Sequence, residues 1–407
     1  MATLLVRGCV FGDTGEAGDL LVEGGRITAR GPGLEAPADD ELVEIDAAGL
    51  TALPGAIDAL AQIAAPRGPG APADDLGSGT IAAARGGVTT VVAPVVPGLS
   101  ETLDVAFHDA ERRASGNVLI DYAFVLGMGR PTTETPERMR GVGFHRGFAG
   151  AFLDLDAVDQ AAVAGPGAIL RLAAVSEVPI TVRAAGRLGA DAERVRVETL
   201  SSLGALADIA PHIAPLVSAA AVDALAGGIA TGSTGLAQLC LDELPTGLEV
   251  RPALASAEDR EALWAALADG RLEGVVSDHH GEPMTGVHDW IGISSIELLV
   301  PALLTHGVAA GRIDLPTLCA IIAERPARRL GMWPEKGALQ AGADGDIVLV
   351  DPAATWTVDP AELESRGKAP AWHGHAMTGR VVHVFSRGEQ VVADGAPVFR
   401  PGRGRAV

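Results

Sequence analysis

At 407 residues the chain is too long for one average domain and suits a large barrel with an appendage. It is 48% hydrophobic and 20% charged, a globular composition, and no apolar run nears the roughly 20 residues that a membrane-crossing helix needs. A formal net charge of −21 argues against nucleic acid, because neutralising phosphates takes a basic face. The first 21 residues lack a basic region followed by an apolar stretch, so no secretory signal is expected. Cys9, Cys240 and Cys319 have no paired spacing and read as reduced thiols, which predicts a cytoplasmic protein. Only two lysines occur, Lys336 and Lys368, so any mechanism needing a lysine within the first 335 residues is excluded.

Taken in chain order, the first 50 residues read as short strands: Leu4-Leu5-Val6, Asp19 to Val22 and Arg26-Ile27-Thr28, with Gly24-Gly25 as a hairpin turn. From about residue 54 the pattern changes to alternating helix and strand. Thr80 to Arg85 is helical and Val88 to Val92 a buried strand; Ile169 to Val175 is helical and Pro179 to Val182 a strand. Leu203 to Ile209 is helical and Ile213 to Val217 extended. Ser256 opens a helix with Asp259 in the capping position; Leu263, Trp264 and Leu267 form its apolar stripe, and Gly270 ends it. Gly274 to Ser277 follows as a strand ending on Asp278. Strands return after Gly345, over Asp346 to Val350, Gly379 to Phe385 and Gln390 to Val392. Helix–strand alternation over some 280 residues predicts an α/β fold with a (β/α)8 TIM-like barrel over 54–335. The β-rich ends, 1–53 and 336–407, are expected to meet in one small β-sandwich.

Several segments then resemble the amidohydrolase superfamily, and within it the cyclic amidohydrolases: dihydroorotases, dihydropyrimidinases and allantoinases. Leu53 to Ala59 is similar to the strand that opens their barrel, and Gly77 to Val92 to their second element. Ala257 to Trp264, Ser277-Asp278-His279, Glu324 to Gly331 and Gly342 to Pro352 are further matches, and the last third most resembles dihydroorotases. The resemblance implies metal-dependent ring-opening or ring-closing amide hydrolysis. Its ligands would be a His-x-His pair after the first strand, a carboxylated lysine, two further histidines and an aspartate.

Read position by position, that ligand set is nearly absent. The His-x-His positions hold Leu60 and Gln62, the lysine falls at Gly150, and the later histidines fall at Arg183 and Leu216. Only Asp278 stands, which the resemblance assigns as metal ligand and proton shuttle. The substrate-binding arginine falls at Ala64, the asparagine at Val96, and the residues after Asp278 read His280-Gly281-Glu282 in place of Ala-Pro-His. Asp278-His279-His280 with Glu282 reads either as a remnant or as a new acid–base or metal site. His373-Gly374-His375, the one His-x-His in the chain, reads as a solvated loop pair.

These replacements lead to the expectation of a catalytically inactive dihydroorotase homologue without a cofactor. Its role would be structural or regulatory in pyrimidine biosynthesis, through assembly with the aspartate transcarbamoylase catalytic chain, and a homo-oligomer is expected. The alternative is an active dihydroorotase or related cyclic amidohydrolase with a rebuilt metal site, holding zinc, around Asp278.

Overall fold

A computed structural model describes residues 3–38, 41–65, 73–98, 101–128, 132, 134–155, 165–184, 189–281, 290–398 and 402–407. Its core is an eight-stranded parallel sheet in chain order: β6 (Ala56–Asp58), β7 (Val88–Val95), β8 (Asp121–Gly127), β9 (Phe148–Asp154), β10 (Ile180–Arg183), β11 (His212–Leu216), β12 (Thr231–Gly235) and β14 (Gly274–Val276). Every residue of β7 and β8 is buried, as expected for parallel strands covered on both sides. The sheet closes between its first and last strands just beyond their ends, where Ala61 bridges His279 and the Gln62 amide donates to the His279 carbonyl at 2.8 Å. Leu60, Val92, Val125, Phe152, Ala214 and Val276 fill the interior, so the barrel is packed through its middle and opens only at its ends.

Helices return the chain between strands. α1 (Leu76–Arg85) starts on a capping box in which the Asp75 carboxylate accepts from the Ser78 amide and the Ser78 hydroxyl accepts from the Asp75 amide. α2 (Leu103–Ala114) and α3 (Thr135–Gly143) cover β8 and β9. At Ala257–Ala268 the expected cap is present, with the Asp259 amide donating to the Ser256 hydroxyl at 3.1 Å. One helix is longer than its sequence suggests: Ala190–Ala207 begins well before Leu203. Its buried stripe runs Glu193, Val197, Leu200, Ser201 and Gly204, and the polar members hide the period.

The second sheet has nine strands and draws on both ends of the chain. β1 (Leu4–Phe11), β2 (Ala17–Glu23), β3 (Arg26–Gly31), β4 (Val43–Asp46) and β5 (Thr51–Pro54) come first. β16 (Ile347–Thr357), β17 (Ala376–Ser386), β18 (Glu389–Ala393) and β19 (Ala396–Pro397) complete it, and β5 pairs antiparallel with β16. Gly24 and Gly25, both at positive φ, make the β2–β3 turn. A short pair, β13 (Leu248–Glu249) with β15 (Trp290–Ile291), lies apart from both sheets.

Candidate active site at the barrel mouth

The carboxyl ends of parallel barrel strands gather their last side chains around one opening, which is where barrel active sites form. Four polar residues meet there. The Asp278 carboxylate accepts from the Gln62 amide nitrogen at 3.3 Å and is ion-paired with the Arg183 guanidinium. Arg183 also donates to the Arg251 carbonyl at 3.2 Å, and its Nε lies buried without a hydrogen-bond partner. Asp154 ends β9 in register with Arg183 at the end of β10.

Asp278 sits in the left-handed region at φ 45° and is only 7% exposed. Burial pushes its carboxyl above the ordinary aspartate value; the Arg183 charge and the Gln62 hydrogen bond oppose this, and the neighbouring Asp154 charge adds to it. A buried non-glycine residue held at positive φ beside a charge partner is a frequent mark of a working site. Beneath it the fully buried Asp58 is raised to about 6, mainly by burial, while accepting from the Ser277 hydroxyl and from the amides of Ser277 (3.0 Å) and Leu60 (3.3 Å). This pair anchors the turn that carries Asp278 across to β6.

The remaining sequence candidates divide. Leu60 and Leu216 are fully buried and apolar, and Ala64 is buried with its carbonyl accepting from Arg113 at 2.8 Å. Val96 lies past the end of β7 at 64% exposure. Glu282 lies outside the described residues. Gly150 sits within β9 opposite Val125, at φ 126°, where a Cβ would stand 2.4 Å from the Pro179 carbonyl oxygen. The mouth end of β9 is Asp154, which no family motif marks and which closes the apolar run Ala151-Phe152-Leu153.

His279 is engaged at both ring nitrogens. Its Nδ1 accepts from the Ser295 amide at 3.1 Å, and its Nε2 faces Asp74 at 3.2 Å. Asp74 further accepts from Ser365 (2.5 Å), Ser78 (2.8 Å) and the Arg366 amide (3.1 Å). Burial alone would raise the Asp74 carboxyl, yet these donors hold it well below the ordinary range. His279 is therefore committed to fastening the barrel seam. His280 is half-buried over Gly292, its amide donating to Ile293 at 3.1 Å. His373 is exposed and His375 half-buried, in the turn before β17.

The donor set at the mouth does not fit the divalent pair that the resemblance implies. Two of its positions are aliphatic, a third is the Arg183 cation, and that cation already neutralises Asp278. Elsewhere the expectation of a chain without any metal is corrected, for two groups of described residues bring three ligand atoms within 4.8 Å of one another. They are His108/Glu111/His145 and Asp121/Asp344/Asp346. The Lys336 ammonium occupies the second group, 2.6 Å from Asp121, 2.9 Å from Asp344 and 2.8 Å from Asp346.

Comparison with known proteins bears directly on this site. A D-phenylhydantoinase of Escherichia coli is 26% identical over all of this chain and 97% of its own length. An allantoinase of Streptomyces avermitilis is 30% identical over 78% of this chain and 79% of its own. Among solved structures, dihydropyrimidinase from Brevibacillus agri superposes with a TM-score of 0.91 at 26% identity, covering all of this chain and 98% of that one. These relatives carry enzyme names. The expectation of an inactive chain serving pyrimidine biosynthesis is thereby corrected, and cyclic-amide hydrolysis, the alternative, is the reading they favour. No helix among the described residues is long and apolar enough to cross a membrane. The family model described as the amidohydrolase family matches residues 167–391, more than half of the sequence, and the chain belongs to that family.

Proposed function

We propose that this protein hydrolyses the amide bond of a small cyclic amide, using the Asp278–Arg183 pair at the barrel mouth. The observation that carries the proposal is a buried, proton-affine aspartate at a mouth turn, beside a cation, on a chain that matches hydantoinases from end to end. In the reaction the ring carbonyl oxygen accepts a hydrogen bond from the Arg183 guanidinium, which stabilises the charge that develops there. Asp278 takes a proton from the attacking water as its oxygen bonds to the carbonyl carbon. The carbon–nitrogen bond then breaks, and the same carboxyl returns the proton to the departing ring nitrogen. The products are an open-chain nitrogen group and a carboxylic acid, which ionises to the carboxylate by releasing the water's second proton to solvent. Gln62 holds Asp278 in place through its amide, and no step passes through a metal.

Ring opening of hydantoin, dihydrouracil, allantoin and dihydroorotate, followed by chromatography, tests this directly. D278N is expected to lower kcat by about 10²–10⁴-fold, and R183M by about 10²–10³-fold. Turnover on dihydroorotate alone would place the chain with the dihydroorotases. Absence of turnover on all four rings, or full activity in D278N, overturns the proposal.

A further inference from the structure

A second chemical site lies on the outer wall of the barrel, away from the mouth. His108 and Glu111 stand one turn apart on α2, with His108 Nδ1 and Glu111 Oε2 2.9 Å apart. His145 arrives from the turn that ends α3, and its ring centroid is 5.0 Å from that of His108. The turn is fixed by backbone bonds: the His145 amide donates to Val142 at 2.9 Å, and its carbonyl accepts from the Phe148 amide at 3.3 Å. Beneath both imidazoles lies the fully buried Phe107 ring, edge-on to each at 5.5 and 5.8 Å, itself wedged against Phe124 and Phe148. One ligand atom from each of the three residues falls within 4.8 Å of the others.

We infer that His108, Glu111 and His145 form a binding site for a divalent ion of the zinc class. Two imidazoles and one carboxylate are the donors that zinc prefers, whereas magnesium and calcium select all-oxygen sets. A tetrahedral ion held by three side chains keeps one position for water. The Phe107 edge bounds both imidazoles on their inner side, and side-chain rotation brings the three ligand atoms around an ion. β9 runs from Phe148 towards the mouth at Asp154, so His145 lies at the opposite end of the barrel from Asp278. Occupancy therefore ties α2 to the α3–β9 turn and strengthens that wall without touching the mouth. This inference does not depend on the proposed hydrolysis.

The test uses the full chain, stripped with chelator and dialysed against zinc chloride, with bound metal quantified and thermal unfolding followed. One zinc per chain and a raised Tm are expected, with magnesium chloride unable to displace it. H108A and H145A should each weaken zinc binding by roughly tenfold or more. Both side chains are exposed, so circular dichroism and the metal-free Tm should stay as in the parent. H375A, which alters the other surface histidine pair, should bind zinc as the parent does. Failure of the parent to hold zinc stoichiometrically, undiminished binding in H145A, or loss of zinc in H375A overturns the assignment.

Discussion

Replacing Lys336 by methionine probes how the barrel is held to the second sheet. Lys336 is 3% exposed and its ammonium touches three carboxylates, Asp121 at the start of β8 and Asp344 and Asp346 just before β16. Arg387 also pairs with Asp121, its amide donates to Asp346 at 2.7 Å, and the Arg405 amide donates to Asp121 at 2.9 Å. With Arg26 3.9 Å from Asp344, three cations face three anions at the junction of barrel, sheet and final segment. Removing the lysine charge leaves buried carboxylates facing one another, which costs about 3–5 kcal/mol. At about 2.1 cal/mol/K per residue, 407 residues give an unfolding entropy of roughly 0.85 kcal/mol/K, so the Tm should fall by about 4–6 °C. The pH dependence carries the sign. Carboxylates crowded without their cation take a raised folded-state pKa, so the penalty is full near neutrality and shrinks as pH falls towards the ordinary carboxylate range, about 4. Scanning calorimetry of K336M and the parent between pH 5 and 8 measures both. Adding D344N to K336M should restore part of the loss, since it removes one of the three charges. A K336M Tm equal to the parent's, or a deficit independent of pH, would refute this account of the hub.

Two further perturbations follow from single residues. Glu193 is buried, accepts from the Val217 amide at 3.0 Å and the Ser218 hydroxyl at 2.6 Å, and is pushed to about 7, mainly by burial. Its raised folded-state value means that its stabilising share is present below the ordinary glutamate pKa and lost as pH rises through 7. E193Q should therefore flatten the decline in Tm between pH 5 and 8, a difference on the order of 3 kcal/mol at most; equal slopes in the two proteins would exclude it. G150A forces a Cβ at φ 126° to within 2.4 Å of the Pro179 oxygen and should cost about 1–3 kcal/mol in thermal unfolding. A neutral result would mean that β9 relaxes freely at that point.

Much of the fold was legible because burial imposes periods on sequence. Val88 to Val92 and Gly274 to Ser277 are apolar runs bounded by glycine or a helix, and they became barrel strands; Ser256 with Asp259 announced a helix start that the backbone adopted. The helix from Ala190 escaped notice because Glu193 and Ser201 stand in its buried stripe, where their cost is met by hydrogen bonds from Val217, Ser218, Ile229 and Ala230. No linear pattern reports such partners.

The site divides along the same line. That no lysine lies in the first 335 residues could be counted from the sequence alone, since a side chain that is absent cannot be supplied by folding. What the mouth holds instead could not be counted. Asp154 enters the mouth only because β9 ends level with β10, and Arg183 neutralises Asp278 only because strands far apart in sequence share one rim. His108 meets His145 through the packing of α2 against α3, over the buried Phe107 ring. Side-chain identity is written in the chain, but ionic pairing and ligand geometry depend on distances of a few ångströms, and those distances are set by the closure of the barrel.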